Sequence, residues 1–372
     1  MKVCMITGTL PNIKCGVGDY TDILCNKLNK SEKIELSVIT TKGLSINKEY
    51  TTYDIMNKWN FTEVPKIISK INKINPDILH IQYPTLAYKR NIMINFLPLL
   101  VKKKYKIVHT IHEYSDNSTL GKIRIWPNII LSDVILVVDK QYAEDIKKIG
   151  FFKNKSLYYV NIASNIPKAD ISDEEVVKIR HKVLDNKCSK IAGYFGFINK
   201  TKGIENVLYS LKRLNDKNKL KTKLLIIGEL DRNNEYHKFI LNLIDDLKIK
   251  KYIYITGYLD KNDVGTYIRC TDYMILPFIN GLSTKNGSFL ASLQEGKYVV
   301  TTKRKGLTAF NNENIYYLDT NYTENDMDSV ILNLQKMVQK EISKFEDDIF
   351  NWNSVVDRHI EIYKQLCKQN MF

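Results

Sequence analysis

The stretch "LPFINGLSTKNGSFLASLQEGKYVVTT", Leu276 to Thr302, decides how the rest of the chain is read. A short apolar run enters a loop holding Gly281, Ser283, Lys285 and Gly287; a helical pattern follows, then Gly296 and a β-branched run. Strand, loop, helix and strand in that order make a parallel βαβ unit. The loop feeds a helix start beside a lysine, and amides at a helix N-terminus next to a cation suit a phosphate. No carboxylate precedes Glu295 in this stretch, so its chemistry has to run without one.

The same alternation extends in both directions. Upstream stand "VCMIT", "IELSVIT", "DILHIQY", "KIVHTIH", "DVILVVD" and "LYYVNI", with helical spacing clearest from Asp19 to Leu28 and from Val64 to Ile74. The pattern breaks at "SNIPKADISDEE", Ser164 to Glu175, where Pro167 and clustered polar residues read as a linker. A second series follows in "IAGYFGF", "KLLIIG", "YIYIT", "DYMILPF", "YVVTT" and "NIYYLD", and the chain reads as helical after Asn321. The expected fold is α/β, two tandem doubly wound Rossmann-like domains, 1–165 and 176–345, with a ligand cleft between them at the carboxyl ends of the strands. Residues 346–372 are expected to form a closing helix on the N-terminal domain.

Composition narrows the class. The 372 residues are 44% apolar and 26% charged, ordinary for a soluble protein, and the net charge of +15 points to anionic company or to a genome-wide lysine bias. The six cysteines form no C-x-x-C pair and sit mostly in apolar patterns, which fits a reducing cytoplasm. "MKVCMIT" opens on a strand and lacks the pattern of a secretion signal. The nearest candidate for a membrane span, "NIMINFLPLLV" from Asn91 to Val101, carries Asn95 and Pro98 and is short of the roughly 18 residues required. Nucleic acid is not expected, because the clearest basic cluster, "KKKYK" at Lys102 to Lys106, holds a single aromatic. There is no metal-ligand spacing, G-x-S-x-G elbow or Walker lysine, so neither metal nor cofactor is expected.

Three loops stand where chemistry is expected. "KCGVGDYTDIL" after the first strand carries Gly16, Val17 and Gly18 ahead of a helix beginning near Asp19; a plain packing turn fits as well, and a dinucleotide fingerprint would need glycine at Thr21. "FGFINKTKGIENVLYSL" puts Lys202 one residue before Gly203 at another helix start. The opening stretch adds Ser283, Lys285, Asn286, Gly287 and Ser288 at a third. His80 and His109 alternate with apolar residues inside strands and read as core, whereas His112 falls at a strand's carboxyl end, where ligands gather.

In order and spacing, "CGVGDYT", "PDILHIQYP", "HTIHEYS", "GFINKTKGIENVL", the "PF.NG.S" loop with its "VVTT" strand, and a final "NW" helix with "EIY" resemble retaining nucleotide-sugar glycosyltransferases of the GT-B fold, glycosyltransferase family 4. The resemblance implies a nucleoside-diphosphate-sugar donor on the C-terminal domain and a hydroxyl acceptor, a glycan or lipid-linked glycan, on the N-terminal one. It places Gly16 to Gly18 toward donor phosphates and acceptor, His112 near the donor sugar, and Lys202 in an arginine-plus-lysine diphosphate clamp whose arginine position is Phe197 here. The family's paired glutamates fall on Ser283 and Ala291, which marks a divergent branch; Lys285 with the amides of Asn286 to Ser288 is the expected compensation, and Gln294 or Glu295 the candidate substitutes. Two rivals follow from the same residues, a nucleotide-sugar epimerase of similar fold and a catalytically inactive scaffold subunit. An anionic membrane surface at the inner face of the cell is the further expected partner, through "YKRNIMINFLPLLVKKKYK". Asn91 and Asn95, placed on one helical face, leave it little hydrophobic surface, so salt-sensitive association without insertion is expected.

Overall fold

In a computed structural model of the protein, residues 1–45, 48–115, 117–184, 188–217, 221–304, 310, 313–337 and 351–368 are described. Two compact units emerge, Met1–Ala163 with Asp348–Phe372, and Ser164–Asp347. The expected boundary at 345 and 346 lies outside the described residues.

The first unit runs β1 (Lys2–Ile6), α1 (Gly16–Asn29), β2 (Glu35–Thr41), β3 (Thr51–Met56), α2 (Val64–Ile74), β4 (Ile78–Tyr83), α3 (Met93–Val101), β5 (Lys106–Ile111), α4 (Thr119–Leu131), β6 (Val134–Val137), α5 (Lys140–Lys147) and β7 (Leu157–Tyr159). Its seven strands lie in the order β3-β2-β1-β4-β5-β6-β7, every pair parallel. A parallel sheet is covered on both faces, and accordingly all six side chains of β4, "ILHIQY", are buried. Right-handed crossovers place α2, α3, α4 and α5 on one face and α1 on the other.

The second unit runs α6 (Asp173–Val183), β8 (Cys188–Phe195), α7 (Ile204–Lys217), β9 (Lys221–Ile227), α8 (Glu235–Asp246), β10 (Ile253–Ile255), α9 (Lys261–Arg269), β11 (Tyr273–Leu276), α10 (Gly287–Gln294), β12 (Tyr298–Thr302), β13 (Ile315–Leu318) and α11 (Glu324–Met337). Six parallel strands take the order β10-β9-β8-β11-β12-β13. The helix starts are written locally: Ser172 and Glu175 close a reciprocal capping box on α6, and Asn234 and Asp260 cap α8 and α9.

The last helix, α12 (Trp352–Lys368), belongs to the first unit and packs on α1. Its Tyr363 hydroxyl is 2.5 Å from His80 Nδ1 in the core, and the Trp352 ring lies 5.3 Å from that of Tyr20. In each sheet the chain reverses its direction of growth at one place, between β1 and β4 and between β8 and β11. Such switch points open a crevice at the strands' carboxyl ends. The loops singled out in the sequence leave from the strands flanking these two points.

Candidate functional site

In the second unit the loop after β8 and the loop after β11 are locked together. Gly203 has φ +68, and a Cβ there would stand 2.3 Å from the Pro277 carbonyl oxygen, so a side chain is excluded both by conformation and by space. The Ile279 amide donates to the Thr201 carbonyl at 3.1 Å, and Asn199 Oδ1 accepts from the Thr201 amide and hydroxyl. This carries Lys202, half-buried, over the Phe278 ring with its ammonium 4.7 Å from the centroid. Gly196, on the same loop, faces Ser288 at the start of α10 across 3.8 Å from its Cβ position.

Lys202 and Lys285 thereby become electrostatic neighbours. Burial first, and the charge of Lys285 second, push the Lys202 ammonium down to about 8. The N-terminus of α10 lies beside them. Its N-cap residue, Asn286, makes no side-chain cap; instead Asn286 Oδ1 accepts from the Ser283 amide at 2.6 Å. Among the described residues nothing accepts from the amides of Gly287 and Ser288, the first two of the helix. Ser283 and Ser288 are buried, and Lys285, Asn286 and Gly287 are half-buried. Two cations beside a pair of uncapped amides are the groups that charge-assisted hydrogen bonding to an anion calls for, which makes this a candidate anion cradle.

The residues proposed to replace the paired glutamates point elsewhere. Gln294 Nε2 donates to the Ile166 carbonyl at 3.0 Å, and Glu295 Oε1 accepts from the Ala169 amide at 2.6 Å. Both sit at the end of α10 remote from Gly287, about 12 Å along an eight-residue helix. They tie the 166–169 segment to the unit. Phe197, at the clamp's arginine position, is exposed. Phe278 was not singled out by sequence reasoning; its signal was an aromatic directly after the proline that ends β11.

In the first unit α1 starts at Gly16, three residues earlier than the expected Asp19. The Asp19 amide donates to the Cys15 carbonyl at 3.0 Å, which makes Cys15 the N-cap and Gly16, Val17 and Gly18 the first helical turn. Gly16 is exposed and has open space where a Cβ would be; Gly18 is buried, with Thr9 Oγ1 at 3.1 Å from its Cβ position. A close packing role therefore belongs to Gly18, and the exposed position to Gly16, with Val17 half-buried between them.

His112 follows β5 directly and is buried, its ring edge-on to Tyr20 of α1 at 5.3 Å. His112 Nε2 lies 2.7 Å from Gln82 Oε1, and Gln82 Nε2 lies 3.4 Å from His80 Nε2. Read in one direction, His112 Nε2–H donates to Gln82 Oε1, while His80 donates through Nδ1–H to Tyr363 and accepts at Nε2 from the Thr110 hydroxyl at 2.7 Å, with the Gln82 amide as a longer second neighbour. The bond to the buried Gln82 fixes the His112 ring from behind. His80, His109 and His359 are fully buried and held below the ordinary histidine range by that burial, His109 at about 3 and His359 at about 4. They are core residues.

Residues 176–339 match the family model described as glycosyl transferases group 1. No curated protein matches the sequence. Among solved structures, a glycosyltransferase from Rickettsia africae superimposes with a TM-score of 0.78 at 16% identity, covering 99% of this chain and 98% of that one. Sucrose-phosphate synthase from Thermosynechococcus elongatus gives 0.73 at 13%, covering 100% of both chains. Anabaena HepE in complex with UDP-glucose gives 0.70 at 12%, covering 100% and 99%. The fold is GT-B, and the family match together with this fold supports a glycosyltransferase.

Proposed function

We propose that the protein transfers a sugar, with retention of anomeric configuration, from a nucleoside-diphosphate sugar to a hydroxyl of a glycan or lipid-linked glycan. The reading extends to surface polysaccharide or glycolipid synthesis at the cytoplasmic face of the membrane. The observation that carries it is the pairing of Lys202 with Lys285 beside the uncapped start of α10. The charge of Lys285 bears on the half-buried Lys202 ammonium, and a diphosphate would bridge the two. That HepE, of the same fold, was solved with UDP-glucose supports this donor class.

Glu295, the single carboxylate of the Leu276–Thr302 stretch, is engaged with Ala169. The reading therefore assigns no protein nucleophile to that stretch. The bond from the anomeric carbon to the diphosphate oxygen breaks, the acceptor oxygen bonds to the same face, and the departing diphosphate takes the acceptor's proton. Lys202, Lys285 and the amides of Gly287 and Ser288 stabilise the charge that develops on the leaving group. Ser283 and Asn286 shape the cradle, while His112 is assigned to the sugar and Gly16, Val17 and Gly18 to phosphate or acceptor groups.

Calorimetry with UDP, GDP, ADP and CDP, followed by incubation with the matching nucleotide sugars, tests the proposal. Selective micromolar binding with release of the nucleoside diphosphate and transfer of sugar to an added glycan supports it. An isomerised nucleotide sugar without transfer identifies the epimerase, and binding of no diphosphate identifies the inactive scaffold that the residues at Ser283 and Ala291 otherwise suggest.

A further inference from the structure

We propose that α3 and α4 together form a surface that docks on an anionic lipid bilayer, with apolar side chains entering the interface. The inference rests on the first unit alone and holds whether or not the transferase reading does. Asn95 does not share an outer face with Asn91, as the sequence led one to expect. Asn91 precedes the helix and donates to the Lys58 carbonyl, whereas Asn95 is buried and donates to Asn128 Oδ1 of α4 at 2.6 Å. The polar side chain of α3 thus faces inward, and its outer face is left to Phe96, Leu99 and Leu100.

Leu99 is 56% and Leu100 51% exposed, and with Phe61, Val64 and Phe96 they line an open groove of about 410 Å³. On the adjoining α4, Leu120, Ile123 and Ile130 recur on one helical face and are all exposed, Leu120 by 80%. Lone apolar residues on a surface are ordinary; two neighbouring helices each turning an apolar stripe outward are not.

The charge around these stripes selects the partner. Residues 85–112 and 117–132 hold eight lysines and arginines and no aspartate or glutamate. Lys102, Lys103 and Lys104 leave the end of α3 next to Leu99 and Leu100, all three exposed. Ahead of α3, Lys89 and Arg90 are both exposed and both left-handed, with φ 50 and 59. Two successive non-glycine residues in that region are strained, and the turn is held by the Arg124 guanidinium on the Arg90 carbonyl. Cations at both ends of an exposed apolar helix fit anionic headgroups above and acyl chains beneath.

The test is co-sedimentation of the full chain with vesicles of mixed phosphatidylglycerol and phosphatidylcholine, against pure phosphatidylcholine. The wild type is expected in the anionic pellet, with binding that falls as salt rises. Leu99→Ser/Leu100→Ser/Leu120→Ser is expected to lower partition about tenfold or more at any salt, since exposed leucines enter the interface. Lys102→Gln/Lys103→Gln is expected to lower it at low salt only. These side chains are exposed, and unchanged circular dichroism confirms that both variants fold. Absence of wild-type binding, equal binding to both vesicles, or wild-type binding by the leucine variant overturns the proposal. So does sedimentation velocity showing a dimer that the leucine variant abolishes, which would assign the face to a second copy of this chain.

Discussion

Lys285 lies close enough to Lys202 to add to the effect of burial, and together they hold the Lys202 ammonium at about 8. The two residues come from different βα loops, and the contact between Gly203 and Pro277 is what brings those loops into register. A bound anion removes the repulsion and returns the proton affinity of Lys202 toward its ordinary 10.5. On the proposed reading, diphosphate binding here is therefore expected to be linked to protonation of Lys202.

Nucleoside-diphosphate affinity is expected to be highest below pH 8 and to weaken as pH rises through it, by up to about tenfold per pH unit. Calorimetry in buffers of differing ionisation enthalpy should show proton uptake on binding above that pH. For folding the sign reverses. The unfolded chain holds the lysine proton more tightly, so Lys202 detracts from stability below about 8 and that loss is relieved toward 10.5. Lys297, also lowered to about 8 by burial, adds to the folding effect but not to binding; Lys202→Met should therefore abolish the pH dependence of binding and leave Lys297's share of the folding effect.

Lys202→Ala and Lys285→Ala should each weaken nucleoside-diphosphate binding by about 1.5 to 3 kcal/mol, roughly tenfold or more, with the melting temperature unchanged or raised. Unaltered affinity in both variants removes the diphosphate assignment.

The parallel sheets were legible in the sequence because each buried strand is a short apolar run bounded by turn residues, as in "DILHIQY" and "DYMILPF". The cradle was legible only as separate loops. Nothing in the spacing of Lys202 and Lys285 reveals that they meet, since this depends on β8 and β11 being neighbours in the sheet. The directions of Gln294, Glu295 and Asn286 were equally hidden, because each is set by a backbone partner in another loop or turn. The outward face of α3 was misread because the helix begins at Met93, which removes Asn91 from it, and because Asn95 finds Asn128.

Gly203→Ala should destabilise the second unit by about 1 to 3 kcal/mol or more, since it combines a left-handed backbone with a backbone oxygen at 2.3 Å from the new methyl. Urea denaturation measures it. Because the same contact positions Lys202, the folded fraction should also bind nucleoside diphosphate more weakly; a variant as stable and as tight-binding as the wild type would remove the locking role of Gly203.

His112→Ala should lower turnover more than nucleoside-diphosphate affinity, because its assigned partner is the sugar. Gln82→Met nearly conserves volume but removes the acceptor for His112 Nε2–H, and should lower turnover in the same direction by freeing the ring. Equal losses of nucleotide affinity in both variants would make the His112–Gln82 pair structural alone.

The buried histidines give the first unit a steep acid limit. His80, His109 and His359 are neutral in the fold, with His109 near 3 and His359 near 4, but each takes up a proton near 6.5 once unfolded. A histidine whose folded value is depressed contributes stability that is complete above 6.5 and is lost as pH falls below it. Three such groups give a limiting slope of about 4 kcal/mol per pH unit between roughly pH 6 and pH 4. Urea midpoints followed by tryptophan fluorescence should fall along that slope, since Trp59 and Trp126 report on this unit. His359→Gln removes one of the three protons and should reduce the slope by about a third, whatever it does to stability at pH 8. A slope equal to that of the wild type would show that His359 is not among the groups that charge on unfolding.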